Sequence, residues 1–187
     1  MPRHWSRLCS GVTLAEMLIV VALIALCSGL AMPNANPLAM VSNDMATSEV
    51  IRAIRFAQRE AVRTGAWYTV QVDANAQTLR VYRLTTSGTV TEDTSITVQN
   101  PIDKKKYNLA FGASSGPAQA TVTLVDFDYG PVTNQTTLSF APDGTPGRLA
   151  DRGPAGDQPL TAAQVTVKVG RQQRTLTVDA LTGRVSG

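Results

Sequence analysis

Residues 11–32 read GVTLAEMLIVVALIALCSGLAM, an apolar run with a single acidic residue, Glu16, near its start. As a helix at ~1.5 Å per residue, the 21 residues from Val12 to Met32 make a rod ~31 Å long. That is the hydrocarbon thickness of a bilayer. The leader ahead of it, MPRHWSRLCSG over residues 1–11, carries Arg3 and Arg7 and no acid. Basic residues before an apolar run stay on the cytoplasmic side, so the rest of the chain is expected to be delivered across. A transmembrane helix over 12–32 follows.

Glu16 is the informative residue. A charged side chain in a membrane helix costs roughly 2.5–3.5 kcal/mol on insertion scales and is usually paired. No Lys, Arg or His follows before Arg52, so its own helix offers no cation. A cut after Gly11 would give Val12 a free α-amine, which on a neighbouring copy or a related subunit would be the missing partner. Glu16 is then satisfied only on assembly. Other readings explain less. An ordinary secretory signal has an apolar core without acid and a small-x-small cut, for which Ala31 or Ala35 would serve. A lipoprotein signal needs a small residue before its modified cysteine, whereas Cys27 follows Leu26. A plain anchor has no use for Glu16.

Gly11-Val12-Thr13-Leu14-Ala15-Glu16 ahead of an apolar helix resembles the class III signal of type IV pilins and type II secretion pseudopilins. The resemblance implies a membrane peptidase that cuts after Gly11 and methylates the new N-terminus. Those families usually place Phe or Met there; this chain has Val12.

Composition narrows the chemistry. The remainder from about Ser42 is one domain's worth and long enough to bury a core. The formal charge is +3, from 17 basic and 14 acidic residues, and losing Arg3 and Arg7 with the leader brings it to +1. No global case for nucleic acid exists, so any basic role must be local. The two cysteines are Cys9, in the leader, and Cys27, in the apolar helix, so the head has no disulfide. The single histidine, His4, also lies in the leader. Imidazole and thiolate mechanisms and the usual zinc and copper ligands are therefore missing from the head. Carboxylate catalysis stays open, but no constellation of convergent polar groups is visible, so no enzyme and no cofactor is expected. A membrane-tethered periplasmic binding domain is the alternative.

Pro33 and Pro37 should kink or pause the helix. It is expected to resume near Ser42 and run to about Thr64, with Gly65 as its C-terminal cap. Val50, Ile51, Ile54, Ala57 and Ala61 line one face, and Arg52, Arg55, Arg59 and Arg63 line the opposite one. The arginine stripe reads as a solvated face, as a fibre-contact surface toward acidic neighbours or, with no aromatic interleaved in it, least of all as a phosphate- or DNA-binding face. From Trp67 the period switches to two. Residues 67–73 and 78–84 predict a β-hairpin turning at 73–77 and packed on the helix.

Residues 95–99, 121–127 and 137–140 predict further strands, with a turn at Tyr129-Gly130-Pro131. Lys104, Lys105 and Lys106 read as a solvated loop. Asp126 and Asp128 share one face of a strand end, where a weak calcium site or acid/base pair competes with solvated carboxylates. Ala141-Pro142-Asp143-Gly144 is a strong turn opening a Gly- and Pro-rich loop to about Pro159. Residues 164–169 and 174–179 predict a last hairpin turning at Gly170-Arg171.

This order resembles the GspH/FimT family of minor pseudopilins and minor pilins, most specifically over 11–16 and 51–72. The Phe140 to Gly144 turn and Gly183-Arg184-Val185 also look like that family. The resemblance implies an α+β, pilin-like fold. A long N-terminal helix, transmembrane over 12–32 and amphipathic over 33–64, would pack against an antiparallel β-sheet in a β-rich head over 65–187. It implies a low-abundance subunit that initiates or caps a type II secretion pseudopilus or a type IV pilus, anchored by one pass in the inner membrane with its head in the periplasm. Implied partners are other pilins or pseudopilins, the prepilin peptidase and the inner-membrane assembly platform. Some relatives bind DNA through Gly-Arg-x-Arg near the C-terminus. Here Ser186 replaces the second arginine, leaving Arg184 with Arg171 and Arg174 as candidate DNA or fibre contacts.

Overall fold

The computed structural model describes residues 13–30, 37–85, 89–112, 120–149 and 157–187. The chain falls into two compact units, Met1–Asn36 and Pro37–Gly187. In the first, α1 spans Leu14–Leu30, and its side chains from Leu14 to Leu26 are exposed. Its 17 residues correspond to ~26 Å. Among the described residues no helix is long and apolar enough to cross a membrane. Gly11, Val12, Ala31 and Met32, the ends of the expected span, lie outside the described residues, as do Pro33 and the leader.

In the second unit, α2 runs Pro37–Thr64 and starts earlier than the expected Ser42. Proline suits a helix's first turn, where its missing N–H would be unpaired anyway. The other end is as expected. Gly65 takes φ 64°, and the N–H groups of Gly65 and Ala66 both donate to the Ala61 carbonyl, at 3.0 and 3.3 Å. Ala46, Val50, Ile54, Ala57 and Ala61 are fully buried along one face. Alanines at this spacing let the helix axis approach the sheets closely, and Ile54 fills the gap between them.

The strands are β1 (Tyr68–Asp73), β2 (Thr78–Arg83), β3 (Asn108–Ala110), β4 (Thr121–Tyr129), β5 (Val132–Gln135) and β6 (Thr137–Phe140). They continue as β7 (Pro146–Arg148), β8 (Gln158–Pro159), β9 (Ala162–Val169), β10 (Gln172–Val178) and β11 (Val185–Ser186). The expected β1–β2 hairpin forms, with Tyr68 opposite Arg83 and Asp73 opposite Thr78. The Asp73 carboxylate holds its turn by accepting from the N–H groups of Asn75 and Ala76 at 2.8 and 2.9 Å.

Where a single sheet was expected there are two, ordered β3-β2-β1-β6-β7-β8 and β11-β10-β9-β4-β5, with every pairing antiparallel. Their inner faces and the apolar face of α2 share one core, which includes Val70, Val72, Leu138, Phe140, Val165 and Leu176.

Two expectations fail locally, and one expected turn leads into a strand that was not expected. Residues 95–99 form no strand. The Asp93 carboxylate captures both the N–H and the hydroxyl of Ser95, at 3.0 and 2.5 Å, leaving only an isolated bridge between Gln99 and Lys106. The Gly- and Pro-rich stretch after Gly144 is not all loop. Gly147 and Pro159 face each other across β7 and β8, at a sheet edge where proline's missing donor is tolerated. Finally, the turn after Tyr129 leads straight into β5.

Candidate functional site

Glu16 sits in the first turn of α1. Thr13 caps that turn, its hydroxyl accepting from the Glu16 N–H at 3.3 Å. Thr13-Leu14-Ala15-Glu16 thus has the S/T-x-x-E spacing of a capping box, readable in the sequence. A carboxylate there is also favoured by the positive end of the helix dipole. Glu16 has no cation partner among the described residues.

In the head, one side chain that the sequence did not single out organises the surface. The Gln58 amide donates to the Gly144 carbonyl at 2.9 Å and to the Thr182 carbonyl at 2.8 Å. It clasps the turn after β6 and the turn after β10 to the same point of α2. Each turn is also held from within. Asp143 accepts from the N–H and hydroxyl of Thr145, at 2.9 and 2.6 Å. Asp179 accepts from the N–H groups of Leu181 and Thr182, at 3.2 and 2.7 Å, and from the Thr182 hydroxyl at 2.7 Å. Gly144 (φ 86°) and Gly183 (φ 68°) bring the two turns in close. A notch of about 520 Å³ remains between them and α2, lined by Arg59, Val62, Arg63 and Leu181 among others.

Replacing Gln58 by leucine leaves both carbonyls without this donor and is expected to lower the head's unfolding free energy by about 1–2 kcal/mol in urea. An unchanged urea midpoint would mean the turns need no clasp.

These bonds also set the acid response. Bonds from Thr145 hold the Asp143 carboxyl below its ordinary range, and bonds from Thr182, helped by nearby Arg184, do the same for Asp179. A depressed carboxylate stabilises the fold fully above its unfolded pKa of about 3.9, and that stability is lost as pH falls through the folded value. The head's melting temperature should therefore be level in this respect above about pH 5 and fall below about pH 4. In Asp179→Asn the fall should be shallower; an identical acid limb would remove Asp179 from the account.

The arginines are dispersed. Arg52 pairs with Glu49 at 2.6 Å and Arg63 with Glu60 at 2.6 Å. Between them, Arg55 and Arg59 are exposed and meet no carboxylate among the described residues; the Arg59 Nε donates to the Arg55 carbonyl at 3.2 Å. Arg174 reaches across to Asp44 of α2 at 2.9 Å. Arg171 lies in the β9–β10 turn, whereas the Arg184 carbonyl accepts from the Asp179 N–H at 2.8 Å, beyond the other end of β10. Seven residues of extended chain lie between Arg171 and Asp179, and the eight steps from one to the other span about 26 Å. The hairpin does not bring Arg171 and Arg184 together.

The lysine run is a turn. Lys104 takes φ 59°, Lys105 donates its N–H to Asp103, and Lys106 pairs with Glu92, which also pairs with Arg80. Asp126 and Asp128 lie on the outer face of β4, opposite the inward Val125, Phe127 and Tyr129. Asp128 accepts from the Asn134 N–H at 3.0 Å, while the Asp126 Oδ1 has no hydrogen-bond partner among the described residues. Among the described residues no group of metal-ligating side chains converges.

These features define an α+β protein whose helix α2 covers two antiparallel sheets, with a separate apolar helix bearing an acid in its first turn. No family model matches the chain, and no curated protein matches it in sequence. Among solved structures it is similar to the minor pseudopilin EpsH from the Type 2 Secretion System of Vibrio cholerae. The identity is 15% and the TM-score 0.47, over 78% of this chain and 94% of that chain. A likeness this distant leaves function to be read from the chain's own residues.

Proposed function

We propose that this chain is a minor pseudopilin or minor pilin, a low-abundance subunit that helps initiate or cap a type II secretion pseudopilus or a type IV pilus. The observation that carries the proposal is Glu16, an acid in the first turn of an apolar helix that meets no cation among the described residues, directly behind the Gly11–Val12 junction. A prepilin peptidase would cut after Gly11 and expose the Val12 amine, which would pair with Glu16 of a neighbouring pilin or pseudopilin. Apolar helices pack against one another through shape and polar pairing, so this ion pair would set their register. The chain would sit in the inner membrane by one pass with its head in the periplasm. An inner-membrane platform with its own motor would supply the work. The separation of Arg171 from Arg184 favours protein contacts over a nucleic-acid surface, with Arg55 and Arg59 as the cations of the α2 stripe that meet no carboxylate among the described residues.

Glu16→Gln keeps the capping spacing and removes the charge. It is expected to insert normally and to reduce recovery of assembled fibres at least roughly tenfold, as loss of a buried ion pair would. Fibres at the wild-type level would sink the proposal, as would a mature chain whose mass begins at Ala35 or later. A clean deletion, scored for secreted enzymes and for surface pili, separates the two machines. Lost secretion with intact pili marks a pseudopilin, and the reverse a minor pilin.

A further inference from the structure

Residues 96–107 lie outside the strands of both sheets, yet their tip is fixed. The Asn100 N–H donates to the Lys105 carbonyl at 2.9 Å, and the Asn100 carbonyl accepts from the Lys104 N–H at 3.0 Å. The Asn100 side chain accepts from the Ile102 N–H at 3.0 Å, and Asp103 accepts from the Lys105 N–H at 3.1 Å. At the base, the Tyr107 ring packs on Phe56 of α2, with centroids 5.1 Å apart. The turn so built presents Ile102, 66% exposed, beside the exposed Lys104 and Lys105. Neither lysine meets a carboxylate among the described residues. Glu60, Glu92 and Asp93 are already taken, by Arg63, by Arg80 and Lys106, and by Arg83. Between the turn and the last turns of α2 lies a hollow of about 340 Å³, lined by Phe56, Arg63, Tyr68, Ile96, Pro101 and Lys104 among others. Phe56 and Arg63 stand about 28–39 Å along α2 from Pro37, where the chain enters the head.

We propose that this turn and hollow dock an acidic segment of a different protein. A bulky apolar side chain of that segment enters the hollow against Phe56, Ile96 and Pro101, and its carboxylates meet Lys104 and Lys105. Ile102 covers the contact from the side. Because the turn is already fixed, ordering it for a partner loses little further entropy. A buried apolar anchor ringed by charge is the usual energetic centre of such a contact. A flat lipid surface has no knob to fill the hollow, which favours a protein over a membrane. A second copy of this chain does not suit the low abundance proposed above, and only that exclusion draws on the fibre reading. The contact itself needs the head alone and is independent of Glu16.

The test is fluorescence anisotropy of labelled peptides with the full chain in detergent micelles. One peptide carries a central phenylalanine between aspartates, a second has glycine in its place, and a third has lysines for the aspartates. The first should bind, and the other two at least roughly tenfold more weakly. Lys104→Glu with Lys105→Glu should weaken the first peptide roughly tenfold through like-charge contact. Ile102→Ala, which leaves stability in place, should weaken it roughly threefold. No binding of the first peptide overturns the proposal. So does equal binding of the glycine peptide, which would mean charge attraction alone. A third contrary result is added quenching of Ile102→Trp over wild type by brominated phosphatidylglycerol around the reconstituted chain, which would put the turn on the bilayer. A normally assembling Glu16→Gln would end the fibre proposal and leave peptide binding unchanged.

Discussion

Truncating Ile54 to alanine is expected to lower the stability of the Pro37–Gly187 unit by about 3–4 kcal/mol, within the range for emptying a fully buried aliphatic site. Ile54 is fully buried on the face of α2 that meets both sheets, and its helical neighbours Ala53, Ala57 and Ala61 are too short to fill the space. For a unit of this size the melting temperature should fall by about 6–16 °C. Ile102→Ala is the control. Ile102 is 66% exposed, so its removal should stay within about 0.5 kcal/mol of wild type. Calorimetry of both variants checks the contrast, and a loss below 1 kcal/mol for Ile54→Ala would mean that α2 is not what unites the sheets.

Gly183→Ala should destabilise the head by about 2–4 kcal/mol, from two terms. The backbone is left-handed at φ 68°, which costs about 1 kcal/mol for a residue with a Cβ. The added carbon would also lie 2.8 Å from Gln58 Nε2 and 2.8 Å from Phe140 Cε1, so the clasp must open or the ring must move. Crowding of this kind adds about 1–3 kcal/mol. Gly65→Ala isolates the first term, because Gly65 has φ 64° and open space around its missing Cβ. It should lose only about 1 kcal/mol. Equal losses at the two sites in a denaturation series would show that contact with Gln58 and Phe140 does not matter.

The long elements were legible because their residues repeat a period. The α2 apolar face and the β1–β2 hairpin were clear over enough turns or alternations to identify, and Gly65 marked its helix end plainly. The short edge strands were not. β7 contains Pro146 and Gly147, and β8 ends in Pro159, so their composition reads as loop while position at a sheet edge makes them strands. The reverse error at 95–99 arose because local capture by Asp93 outcompeted a pattern only five residues long.

The division into two sheets left no mark in any one strand, since it depends on which distant partner each edge finds. Of the candidate site, Glu16 and its helix were readable, and the Thr13 cap could have been. The clasp could not, because a half-buried glutamine on a helix carries no signal of what it will hold.

The Gln58–Thr182 bond joins residues 124 positions apart, which fixes the timing of the head's completion. α2 is made early, yet the strands β9 and β10 that cover its apolar face are among the last. At 5–20 residues per second, synthesis of the intervening 124 residues takes roughly 6–25 s. Throughout that interval Val50, Ile54 and their neighbours have no finished core to enter. A nascent chain of this protein is therefore a natural client for holding chaperones.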